Sequence, residues 1–149
     1  MTRVQHTIDV AVPVHTAYNQ WTQFEEFPRF MDNVEQVKQL DDRRLHWVAK
    51  IGGKRAEWDA EITDQVPDER VAWKSTGGTR NDGIVTFQPA GTDSTKVTVI
   101  IDAEPTDPVE KVGGATGVLD RQVEGDLERF KKFIESRRVE TGGWRGEIH

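Results

Sequence analysis

The sequence predicts an α+β domain in which a curved antiparallel sheet of about seven strands wraps around one long C-terminal helix, with two short helices after the first strand. Two observations carry this. Between residues 34 and 104, short runs of alternating apolar and polar residues follow one another, each ended by a turn signal, the pattern of an antiparallel meander. Beyond residue 107 the apolar residues change to helical spacing and keep it to about Arg138. A sheet with one apolar face needs a cover, and no other segment is long enough to supply it.

The elements read in order as follows. Val4, His6, Ile8, Val10 and Val12 alternate with mostly polar neighbours and predict a first strand. Pro13 suits the first turn of a helix. Tyr18, Trp21, Phe24 and Phe27 follow at three-residue steps, and Pro28 interrupts them, so two short helices are expected to meet near Gln23–Pro28. Val34–Leu40 reads as a strand of irregular phase, open to a bulge. Leu45, Trp47, Ala49 and Ile51 share one strand face, and Gly52-Gly53 turns the chain. Trp58, Ala60 and Ile62 define the next face, then Val71, Trp73 and Ser75, then Gly83, Val85 and Phe87, then Val97, Val99, Ile101 and Ala103. Asp107-Pro108-Val109-Glu110 has a capping residue, a proline at the first helical position and a glutamate at capping-box distance. Val112, Leu119, Val123, Leu127, Phe130 and Ile134 form the buried stripe of the helix that follows. Gly113, Gly114 and Gly117 weaken its first turns. Residues 1–138 are therefore expected to form the domain and 139–149 a tail with no period.

Composition narrows the function. The 149 residues carry 20 Lys+Arg against 26 Asp+Glu, a net charge of -6, which argues against bulk electrostatic binding of nucleic acid. The absence of cysteine excludes disulfides, thiolate metal sites and a cysteine nucleophile. No apolar run approaches the ~20 residues of a membrane span, and the N-terminus is no signal peptide, so a cytoplasmic protein is expected. No His pair has metal-ligand spacing, no glycine-rich phosphate loop is present, and no serine sits in a nucleophile elbow. Neither a metal nor a cofactor is expected.

Several local motifs go further. Trp21-Thr-Gln-Phe-Glu-Glu-Phe-Pro-Arg-Phe-Met31, His46-Trp47, Glu57-Trp-Asp-Ala-Glu-Ile62, Ile84-Val-Thr-Phe87, Asp126-Leu-Glu-Arg-Phe-Lys131 and Thr141-Gly-Gly-Trp-Arg-Gly-Glu-Ile148 together span the chain. They resemble the bacterial polyketide cyclase/dehydrase proteins of the START/SRPBCC superfamily. The resemblance implies the helix-grip fold, with a cavity between sheet and long helix. In that cavity the inward residues Trp47, Trp58, Trp73, Val85, Phe87, Val99, Leu119 and Val123 are the expected ligand-binding set. Phe27, Phe30, Met31, Val112 and Thr116 are expected at its mouth, and Ser75, Arg80 and Asn81 at a polar rim. The leading expectation is a protein that binds a small hydrophobic molecule, such as a lipid, isoprenoid or polyketide-like compound. The alternatives are an aromatic polyketide cyclase/dehydratase, which needs polar groups converging on the pocket, and a protein-interaction scaffold. No catalytic residue is assigned. The aromatic stretch Phe24, Phe27, Phe30 and Met31 is also a candidate homodimer face.

Overall fold

The computed structural model describes residues 2–51, 54–78, 80–103 and 115–148. The elements are β1 (Thr2–Val10), α1 (Val14–Trp21), a 3₁₀ helix (Phe24–Arg29), β2 (Val34–Gln39), β3 (Arg44–Ile51), β4 (Lys54–Val66), β5 (Arg70–Gly78), β6 (Asn81–Gly91), β7 (Ser94–Ala103) and α2 (Ala115–Arg137). The strands form one antiparallel sheet in the order β1-β7-β6-β5-β4-β3-β2. The first strand thus pairs with the last, and the six strands β2–β7 form the meander that the turn signals predict. Register shifts at Val34/Gln36, Asp59/Ala60, Ile62/Asp64 and Pro89/Gly91 insert extra residues that bend the strands. This is the curved antiparallel sheet with a C-terminal helix that the sequence predicts.

The short helices differ in detail from expectation. They meet at Thr22–Gln23, and the second is a 3₁₀ helix with Pro28 inside it. Proline needs no donor in so short a helix, so it does not set the boundary. The expected helix start at Asp107, and with it Val112, lies outside the described residues.

Burial follows the helical stripe. Val123, Leu127, Phe130 and Ile134 are all buried on α2. Phe130 meets Trp21 and Phe30 at ring-centroid distances of 5.3 and 5.2 Å, and Trp21 meets Phe27 edge-on at 5.1 Å. Each such pair adds about 0.5–1.5 kcal/mol beyond area burial. Polar contacts then hold the helix over the sheet. Lys131 Nζ donates to the Asp9 carbonyl at 2.9 Å, the Ala11 amide donates to Glu135 at 2.8 Å, and Arg129 Nε donates to the Phe30 carbonyl at 3.1 Å.

The C-terminal segment packs on the domain. Ile148 is buried, and it exchanges backbone hydrogen bonds of 2.7 and 2.9 Å with Gln65. The Thr141 amide donates to Gln20 at 2.9 Å, the Trp144 amide to Thr22 at 3.0 Å, and Arg145 pairs with Asp68 at 2.8 Å. Among the described residues no helix is long and apolar enough to cross a membrane.

Candidate functional site: a cavity between sheet and helix

One end of the concave face is not filled. A cavity of about 110 Å³, measured as the space open to the centre of a water molecule, lies between the sheet, the 3₁₀ helix and α2. One water needs ~10–15 Å³ on that measure, so the space holds several waters or a small ring system.

The strand register builds its sheet wall. Trp47 and Trp58 are direct partners across β3 and β4, so alternation puts both indoles on the same face. Their rings stack with centroids 5.6 Å apart and planes 9° from parallel. Trp73 on β5 sits opposite Gly83 on β6, and its ring lies over that glycine, where a Cβ would clash with Trp73 and stand 2.8 Å from the Ile100 carbonyl. Trp73 Nε1 donates to Asn81 Oδ1 at 3.1 Å. Ile62, Val71, Val85, Val99 and Ile101 supply the aliphatic part of the wall. Trp21, Phe24, Phe27 and Met31 close one side, and Val123, Asp126 and Leu127 of α2 lie across from the sheet.

Six of the eight residues expected to face a ligand therefore line one space: Trp47, Trp58, Trp73, Val85, Val99 and Val123. Phe87 does not. It shares a strand face with Val85, but α1 covers that end of the sheet, and Phe87 packs edge-on against Tyr18 at 5.4 Å. The side chains of Leu119 and Thr116 lie outside the described residues. Of the expected mouth, Phe27 and Met31 line the cavity, whereas Phe30 is buried between Phe130 and Phe133. Of the expected rim, Asn81 reaches the cavity. Ser75 and Arg80 instead bind Asp82 within the β5–β6 hairpin, at 3.2 Å each. Phe24, Phe27, Phe30 and Met31 are all buried.

Polar groups that sequence patterning does not place also reach the cavity: Asn33, Lys50, Gln122 and Asp126. Asp126 is the most perturbed of them. Its side chain is 17% exposed and accepts from Arg129 Nη2 at 2.6 Å. Burial pushes its carboxyl up to about 6, Arg129 pulls it the other way, and Asp32 adds to the rise. A sequence signal exists: Asp126 lies three residues after Val123 and four before Phe130, on the apolar stripe itself.

The fold also brings together residues far apart in sequence at the β1–α2 seam. His6 Nε2 lies 2.9 Å from Asp120, and His6 Nδ1 lies 3.9 Å from Glu124. These three groups are a cation-compatible set, but the 2.9 Å contact is a hydrogen bond that ties strand to helix.

Residues 10–132 match the family described as "Polyketide cyclase / dehydrase and lipid transport". The chain belongs to that family. A full-length relative, an uncharacterised 17.2 kDa protein of Streptomyces lincolnensis, is 55% identical over 99% of both chains. A START superfamily protein from Mycobacterium smegmatis superposes with a TM-score of 0.72 at 19% identity, covering 92% of this chain and 97% of its own. The Zhui aromatase/cyclase from Streptomyces sp. R1128 superposes at 0.78 with 15% identity, covering 95% and 98%. At these identities the two structures establish the fold that the family shares. The chemistry must be argued from this chain's own cavity.

Proposed function

We propose that the protein binds a small, flat hydrophobic molecule in this cavity. The observation that carries the reading is a mainly apolar space walled by Trp47, Trp58 and Trp73 on neighbouring strands. Burial of the ligand's apolar area, at about 25 cal/mol per Å², supplies the affinity. Asn81, Lys50 and Gln122 supply polar contacts that orient it. The family's description names both lipid transport and polyketide cyclisation, and both need such a cavity. On this reading the protein works in the cytoplasm, its partner is a small molecule, and nucleic acid is not a partner, in keeping with the net charge of -6.

Native mass spectrometry of gently purified protein tests the proposal. A non-covalent small-molecule adduct, lost after extraction with organic solvent, is expected. A chain with no adduct, and no thermal shift with any apolar probe, would contradict it.

Asp126 favours a second reading, that of a polyketide cyclase/dehydratase. A carboxyl raised to about 6 in the wall of an apolar cavity is close to the range where one group both takes and gives a proton near neutral pH. In that reading Asp126 exchanges a proton with the carbon or oxygen of a bound polyketone, while Arg129 holds the ionised form. Turnover that follows an apparent pKa near 6 and is lost in Asp126→Asn, with ligand binding kept, supports it. A variant with unchanged turnover excludes it.

A further inference from the structure

Among the described residues, Asn81 is the one amide or charged residue of the cavity wall that is buried, with 7% of its surface exposed. Strand phase explains its place. Asn81 stands two residues before Gly83 and four before Val85 on β6, so it shares the inward face of that strand. Neighbouring groups fix it at both ends. Its backbone N–H donates to Ser75 Oγ at 3.2 Å, and Ser75 Oγ donates in turn to Asp82 at 3.2 Å. Arg80 Nε holds the other oxygen of Asp82 at 3.2 Å. On the side chain, Oδ1 accepts from Trp73 Nε1 at 3.1 Å. An indole N–H only donates, so this contact settles which end of the carboxamide faces Trp73. The other end is the Nδ2 amino group, with two N–H bonds to give. Among the described residues nothing accepts from it, whereas the oxygen and the backbone of the same residue are engaged. Nor does Nδ2 share the condition of the indole nitrogens of Trp21, Trp47 and Trp58, which are unpartnered but sealed from contact. A donor in a residue more than nine-tenths buried is costly to leave unpaired, and it gains most from an acceptor that enters the cavity.

We infer that Asn81 is a specificity-determining residue, whose Nδ2 donates a hydrogen bond to a carbonyl oxygen on the ligand. This rests on the binding reading above and sharpens it from any flat apolar molecule to one that carries a ketone or quinone oxygen at the end facing β5 and β6. Trp73, Ser75, Asp82 and Arg80 are then positioning residues. They hold the donor in one orientation before the ligand arrives, so little ordering remains to be done on binding. A pure hydrocarbon fills the same space but leaves the donor unpaired.

Binding of 1-indanone and indane to the full chain, in the parent and in Asn81→Leu, tests this. The two probes share one fused-ring shape and differ by a carbonyl in place of a methylene. Burial of an unpaired carbonyl is unfavourable, so a wall without the donor disfavours the ketone. The ratio of ketone to hydrocarbon affinity is expected to fall about tenfold in Asn81→Leu. Because it is a ratio, a general change in cavity shape affects both probes and cancels. The side-chain amide signals of Asn81 give a second readout in the unmutated protein, which does not depend on the variant folding. Indanone is expected to move them downfield, and indane is not. An unchanged ratio in a variant that melts cooperatively, or amide signals that respond alike to the two probes, overturns the inference while the cavity reading stands. If neither probe binds the parent, both fail.

Discussion

A single carboxyl gives the most direct handle on the cavity at the residue scale. Burial raises Asp126 from the ordinary carboxylate range to about 6. A group raised in the folded state favours folding below its unfolded pKa, and that contribution is lost as pH rises through the folded value. Asp126→Asn should therefore gain stability relative to the parent as pH rises from 4 to 7. A tenfold change in proton affinity between folded and unfolded chain corresponds to about 1.4 kcal/mol, so a relative gain on the order of 2 kcal/mol is expected from urea titrations across that window. A pH-independent difference contradicts the assignment. Phe130 tests packing instead. It is fully buried among Trp21 and Phe30, and Phe130→Ala should cost about 3–5 kcal/mol in the same assay. Residue identity at the cavity is partly legible in the sequence. Alternation places Trp47, Trp58 and Trp73 inward because strand phase alone decides it. It does not separate Val85, which lines the space, from Phe87, which fills the core beside Tyr18. Both have the same phase, and only the position of α1 distinguishes them. Asp126 escapes a sequence reading because a carboxylate on a helix is taken as solvated unless its place on the stripe is weighed.

The strands are where sequence and cavity shape connect at the element scale. Gly83 lies opposite Trp73, and the indole occupies the space where a side chain would stand. Gly83→Ala should push Trp73 away from the cavity wall and destabilise the fold by about 1–3 kcal/mol. Intrinsic tryptophan fluorescence and denaturation together check this, since a wall displacement changes the emission as well as the midpoint. Gly78, with φ of 82° opposite Trp58, is constrained by its backbone as well as by space. Element order and type follow from periodicity and turn residues, and the bulge in β2 from its broken phase. The bulges in β4 carry no such mark, because Asp59/Ala60 and Ile62/Asp64 keep a regular alternation on one side of each register change. The end of β4 at Val66 is legible, since Pro67-Asp68 follows it as a turn signal.

Among the described residues the sheet is covered by α1, the 3₁₀ helix, α2 and the C-terminal segment. The last carries no period, so its docking is not readable from sequence. It is held by isolated contacts, among them Ile148 with Gln65 and Arg145 with Asp68. Removing residues 139–149 should lower the thermal midpoint by several degrees, since 1 kcal/mol shifts a domain of this size by about 2–8 °C. A truncated chain that melts with the full one would show those contacts to be idle. The modest hydrophobic content of 35% fits this plan, because the concave face is lined by few, large side chains and is not packed solid. The central claim is that this unfilled space takes a ligand. Titration with the neutral fluorescent probe N-phenyl-1-naphthylamine, in the parent and in Val123→Phe, tests it most directly. Val123 faces the sheet across the cavity, and a phenyl group there occupies the space the ligand needs. The account expects saturable binding of one probe by the parent, and at least tenfold weaker binding by a variant that still melts cooperatively. Equal binding by the two proteins would place the probe elsewhere and contradict the account.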